Sequence, residues 1–158
     1  MHSTLTNESE QGHRVTLRRI LLAITLLSIV GLIPELLLIE HYEKRWQLVP
    51  LVLLGMALPS VLVAAWRPSE RSVKTMRVVM ALCVLAAPVG IWRHYSGNVE
   101  WELERKPEAN GLPLIWKAMR GATPILAPGA MAQLGLLGLA FTFRHPALRR
   151  RNGEPTSQ

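Results

Sequence analysis

The sequence predicts an all-α membrane protein: a four-transmembrane-helix bundle with an ordered extracytoplasmic loop between helices 3 and 4. Three observations predict it. Four stretches of the 158 residues carry almost no charge, and each approaches the roughly 20 apolar residues a helix needs to cross a hydrocarbon core. These stretches are apolar on every side, as Leu48–Ala65 illustrates with Ser60 as its one polar residue, whereas a helix of a soluble bundle shows a polar face every turn. The Lys and Arg residues, which leave a formal net charge of +7, collect between the stretches. A nucleic-acid binder would spread them along a stripe with interleaved aromatics, so a lipid bilayer is the expected partner and nucleic acid is not.

The first span covers 20–39, between Arg19 and Glu40. Twenty helical residues reach about 30 Å, the thickness of the hydrocarbon core. Pro34, Glu35 and four more apolar residues follow where a signal peptide would offer small residues for cleavage, so this segment is expected to stay attached. The second span, 48–66, lies between Trp46 and Trp66, an indole for each interface. Pro59 falls in its middle and predicts a kink. The third, 76–92, has a charge-free core of only Val78 to Trp92, so Lys74, Arg77 and Arg93 must snorkel. The fourth, 122–143, is rich in small residues, including Gly129, Ala132, Gly135 and Gly138. Such residues let helices approach closely, either within the bundle or across a dimer face.

Lys and Arg counting orients the bundle. One side holds eleven, among them Arg14, Arg18, Arg19, Arg67, Arg71, Lys74 and Arg77, and the other seven. The richer side marks the cytoplasm and places both termini there. Residues 1–16 and 146–158 are polar and read as flexible tails flanking a transmembrane domain over 17–145.

The unusual polar residues collect on the outer side. Glu35 lies about five residues inside the end of span one, a depth of about 7 Å, where a carboxylate is either a functional group or a headgroup-zone partner of Lys44 or Arg45. Glu40, His41 and Glu43 fall in the turn before span two, and His94 falls just past span three. His41 and His94 with Glu40 could hold a metal ion, and two His at neighbouring helix ends could hold a haem. The alternative is that these residues simply prefer the wet interface.

The outer loop, 93–121, contains the alternation Asn98-Val99-Glu100-Trp101-Glu102-Leu103-Glu104. Period two predicts an extended segment with Val99, Trp101 and Leu103 on one face. Glu100, Glu102 and Glu104 then form an acidic ridge on the other, open to a cation, a basic partner or solvent. Leu112, Ile115, Trp116 and Met119 recur at helical spacing and predict a short interfacial helix. Within the spans Gln133 is expected to form an interhelical hydrogen bond. The chain has no aspartate, no phosphate loop, no nucleophile elbow and a single cysteine, Cys83, which removes any disulfide within the chain and many standard catalytic sites.

At His41-Tyr42-Glu43, at His94-Tyr95-Ser96-Gly97-Asn98-Val99-Glu100 and from Ala127-Pro128-Gly129-Ala130 to Arg144-His145-Pro146, the chain resembles small four-span bacterial inner-membrane proteins without a known activity. The resemblance implies a bacterial inner membrane and assigns no role to any residue. The function expected is that of a non-catalytic accessory protein or complex subunit, acting through its outer face on a membrane-protein partner or a second copy. The alternative is a metal- or haem-binding membrane protein, open to a redox role, built on the outer Glu and His residues.

Overall fold

The computed structural model describes residues 2–148, with side chains from residue 12 onward. It is helical, with no strand among the described residues: α1 (His2–Leu38), α2 (Leu48–Trp66), α3 (Glu70–Arg105), α4 (Gly111–Met119) and α5 (Gly129–Thr142), plus 3-10 turns at Arg45–Gln47 and Pro146–Leu148. The stretch 2–16, expected as a polar tail, is helical, because a helix already nucleated in its apolar part extends at little cost until a proline stops it. Of the second expected tail, residues 149–158 lie outside the described residues.

Four helices close on one another. α3 packs against α2 and α5, and α1 packs against the same two from the other side. Ile29, Leu54, Val61, Met76, Met80, Cys83 and Leu134 form the shared core. The closest approach is between α3 and α5. A Cβ on Gly135 would lie 2.5 Å from the carbonyl oxygen of Met80, and one on Gly138 would fall into the Met80 side chain. The small residues of the fourth apolar stretch therefore serve packing inside the bundle, as expected where backbones must touch.

The outward faces are as apolar as the core. Leu27, Leu38, Trp66 and Leu85 are 73%, 83%, 86% and 65% exposed, an arrangement that water would penalise on every turn. Three helical segments, Gly12–Leu38, Arg45–Trp66 and Glu70–Arg105, are long and apolar enough to cross a membrane. α5 is apolar but has only 14 residues, about 21 Å of helix. Residues 122–128, expected to be part of the same span, instead form turns that include Pro124 and Pro128. Gln133 is exposed on α5 and has no hydrogen-bond partner among the described residues, contrary to the interhelical bond expected of it.

Local chemistry fixes the ends. α3 starts at a capping box: Ser69 Oγ accepts from the Ser72 N–H at 3.1 Å, and the Ser69 N–H donates to Ser72 Oγ at 2.9 Å. Lys74 and Glu70, one turn apart, pair at 2.7 Å. α1 ends with Glu40 in the left-handed region at φ 54°. The His41 N–H then returns to Leu36 O at 2.9 Å and the Glu40 N–H to Leu37 O at 3.1 Å, which satisfies two carbonyls that the helix end would leave open. Pro59 lies inside α2, which continues through it.

Candidate functional site

α3 is 36 residues long, about 54 Å, and does not stop where the third apolar stretch does. It continues from Trp92 to Arg105, so the first half of the expected outer loop is helix. The period-two reading of 98–104 is thereby overturned. Glu is a good helix former, and adding residues to an existing helix avoids a new nucleus. On a helix, Glu100 and Glu104 share one exposed face, while Glu102 turns inward. The three carboxylates form no common ridge.

The inward face carries His94, Asn98 and Glu102, spaced by four and therefore stacked. The side chain of each holds the chain that returns through α4 to α5. His94 Nδ1–H donates to the carbonyl of Pro124 at 2.7 Å. Asn98 donates through Nδ2 to the carbonyls of Ala118, at 3.0 Å, and Thr123, at 2.8 Å, and its Oδ1 accepts from the Thr123 N–H at 3.1 Å. Lys117 Nζ donates to Glu102 Oε1 at 3.1 Å. Asn98 and Glu102 are 4% and 8% exposed. Residues 120–128 have no ladder or helix to satisfy their backbone, and a primary amide offers both donors and an acceptor for that task. Gly121 is required beside it, since a Cβ there would collide with the Asn98 side chain.

The turn between α1 and α2 docks on the same region. The rings of His41 and His94 have centroids 6.2 Å apart, tilted by 56°. Arg93 places its guanidinium 5.3 Å from the Trp46 ring centre. Partial burial, reinforced by the charge that His94 can carry, lowers the His41 pKa below its ordinary value. Because a carbonyl can only accept, the Nδ1 of His94 holds the proton in the neutral ring and Nε2 keeps the lone pair.

The other candidates are placed less suggestively. Glu35 is exposed on α1, with no ion-pair or hydrogen-bond partner among the described residues. Glu40 and Glu43 are also exposed, and Glu40 serves the helix end through its backbone. Among the described residues no group of three or more His, Cys, Asp or Glu side chains is drawn together as a metal cage. Trp101, 47% exposed, stacks under the Arg105 guanidinium at 4.6 Å. On α4, Leu112, Ile115, Trp116 and Met119 are all exposed, and Arg120 lies 5.9 Å from the Trp116 ring centre.

No family model, curated protein or solved structure matches this chain. Three residues, Asn98, Arg77 and Arg18, make contacts that the sequence pattern does not announce. Asn98 was part of an expected strand, although its spacing of four from His94 and from Glu102 was the available signal. The arginines at the opposite end do more than mark a membrane side. There Arg77 donates to Thr142 O at 2.7 Å, and Arg18 donates to Arg144 O at 2.9 Å. Both cations thus sit at the carbonyl end of α5, where the helix dipole favours them.

Proposed function

We propose that the chain is a multi-pass membrane protein that crosses the bilayer four times, with both termini in the cytoplasm, and that it works as a non-catalytic accessory protein or complex subunit. The observation that carries the reading is the α3–α4 hairpin. Its fixed parts, the His94, Asn98 and Glu102 contacts, are all spent on holding the fold, and none of them forms a nucleophile–base or acid–base pair. What it leaves outside is a recognition surface: Leu112, Ile115, Trp116 and Met119 of α4, beside Trp101, Glu100 and Glu104 of α3. Exposed aromatic and aliphatic groups rimmed by charge are the composition of interaction sites.

α5 supports a fourth crossing together with the turns before it. Its 14 residues fall short of the usual length, and local thinning of the bilayer or snorkelling of flanking residues accommodates such a mismatch. The arginine excess at the end holding Arg18, Arg19 and Arg77 supports a cytoplasmic assignment for that end. Single cysteines at position 110 and at position 71, in a Cys83→Ala background, test the topology with a membrane-impermeant thiol reagent applied to intact cells. Labelling at 110 and protection at 71 are expected, and the reverse pattern would overturn the orientation. Purification in mild detergent tests the role. A reproducible membrane-protein partner lost on Trp116→Ala/Ile115→Ala is expected, and a protein that purifies alone under all mild conditions refutes it.

One observation favours a second reading, in which a metal ion is held by the outer histidines. With bonds of ~2.1 Å to each ring nitrogen, two imidazoles on one tetrahedral ion have ring centres about 5 Å apart, so the 6.2 Å separation of these rings is about 1 Å from one that an ion could bridge. The Nδ1–H bond from His94 to a carbonyl is the arrangement that orients a ligand imidazole. Remaining ligands would come from water or a partner. Metal analysis and an optical spectrum of the purified protein decide it, because a His41→Ala/His94→Ala double variant must then lose stoichiometric metal.

A further inference from the structure

At the arginine-rich end, opposite the hairpin, α1, the end of α2 and the end of α5 enclose an open cavity of about 210 Å³. Its origin is in the sequence. α2 finishes in Ala64-Ala65 before Pro68, and these short side chains do not fill the space facing Leu22 and Phe141. One wall is therefore apolar. The rim is basic, carrying the guanidinium groups of Arg18 and Arg19 and the ring of His145.

Each rim group is positioned differently. Arg18 is anchored, since its guanidinium also donates to the Phe143 and Arg144 carbonyls at the end of α5. Arg19 is exposed and has no hydrogen-bond or ion-pair partner among the described residues. His145 is 8% exposed and stacks on Phe141, ring centres 5.4 Å apart. Its Nδ1 accepts from the Ala147 N–H at 3.2 Å, which puts the proton of the neutral ring on Nε2 and leaves that nitrogen as a donor. Burial and the nearby Arg18 charge hold its pKa below the ordinary value, so a bound anion would restore what the site lacks.

We infer that this cavity is a binding site for an anionic phospholipid of the surrounding leaflet, with its phosphate on Arg19, Arg18 and His145 and the start of one acyl chain against Leu22, Ala65 and Phe141. A basic rim over an apolar wall, at the depth where a span meets its flanking arginines, matches the two halves of such a lipid. The volume is below the roughly 300–1,000 Å³ of pockets that enclose drug-sized ligands. It suits a headgroup and a few methylenes, with the rest of the lipid in the bilayer. Two cations and an imidazole donor favour a net negative headgroup over a zwitterionic one. The inference rests on the membrane reading above.

The full chain in nanodiscs and in detergent tests it, with native mass spectrometry reading lipids retained after titration with phosphatidylglycerol or phosphatidylcholine. Saturable retention of one phosphatidylglycerol in preference to phosphatidylcholine is expected. Arg19→Gln should weaken it roughly five- to tenfold, and Ala65→Leu should weaken it with the charge intact by filling the apolar wall. Arg71→Gln, equally basic and outside the cavity, should leave it unchanged. Competition by inorganic phosphate would move the site to free phosphate and overturn the lipid assignment, as would equal retention of both lipids. An Arg71→Gln effect equal to that of Arg19→Gln would reduce the binding to general surface charge. A chain that enters nanodiscs without discriminating sinks this inference alone. One that fails to enter them sinks the membrane reading too.

Discussion

Replacing Asn98 by Ala removes three hydrogen bonds at once and leaves the backbone that joins α4 to α5 without its fastener. The two donations, to Ala118 O and Thr123 O, and the acceptance from the Thr123 N–H all disappear. At about 1 kcal/mol for each bond lost, the segment is destabilised by about 3 kcal/mol, with the buried Ala118 carbonyl the costliest to leave unpaired. Opening of a local unit is governed by such a free energy. At about 1.4 kcal/mol per tenfold, the loss amounts to a drop in amide protection of roughly 100-fold. Hydrogen exchange read by mass spectrometry on peptides covering 118–124 measures it, with Thr123 the direct reporter. Peptides from α2 should be unchanged, since Asn98 touches nothing there. Asn98→Asp keeps the shape and the acceptor but sets a carboxylate against two carbonyl oxygens, and it should lose at least as much protection. Unaltered exchange at 118–124 in both variants would show that Asn98 does not fasten this segment.

Three further outcomes follow from the packing and the charges. Gly135→Val brings side-chain atoms onto the Met80 carbonyl, already 2.5 Å from where a Cβ would stand. It should cost about 1–3 kcal/mol as overpacking, seen as a lower melting temperature in detergent, while Gly55→Val, with open space at its Cβ, should not. Glu40→Gly relieves a non-glycine residue at φ 54° and should stabilise the α1 terminus by about 1 kcal/mol, so a lower melting temperature would contradict the assigned cap. For His41 the folded pKa lies below the unfolded 6.5. Between those two values the unfolded chain binds more protons than the folded one, so its contribution is complete above pH 6.5 and declines as the pH falls through that value toward the folded pKa. Melting temperatures from pH 8 to pH 5 should show this decline, and it should shrink in His41→Gln.

Three of the four expected spans were legible in the sequence because lipid imposes a simple rule: spans must be apolar on all sides and charges must wait at their ends. Leu48–Trp66 obeys it so closely that the helix begins and ends at the expected residues. The hairpin was harder to read because the alternation of Glu and apolar residues from Asn98 to Glu104 fits a strand at period two and a helix at spacing four equally well. What decides between them is the partner of Asn98, a set of backbone groups 20 and 25 residues away, and backbone groups leave no mark in a sequence. The same holds for Arg18 and Arg77, whose charge predicts a membrane side but not the carbonyls they hold. Gln133 differs for the opposite reason: its polarity suggests a partner that its exposed face of α5 does not offer.

α3 is the one element shared by the apolar bundle and the hairpin, and it passes between them through Pro88, where the ring cannot supply a backbone N–H. Any bend at that point is magnified at the hairpin. Arg105 lies 17 residues beyond that point, about 26 Å along the axis, so a tilt of about 10° there swings the tip by roughly 4 Å. The Thr123–Asn98 and Pro124–His94 bonds tie the same arm to the turns that lead into α5, so the hairpin and the fourth apolar helix are joined through them.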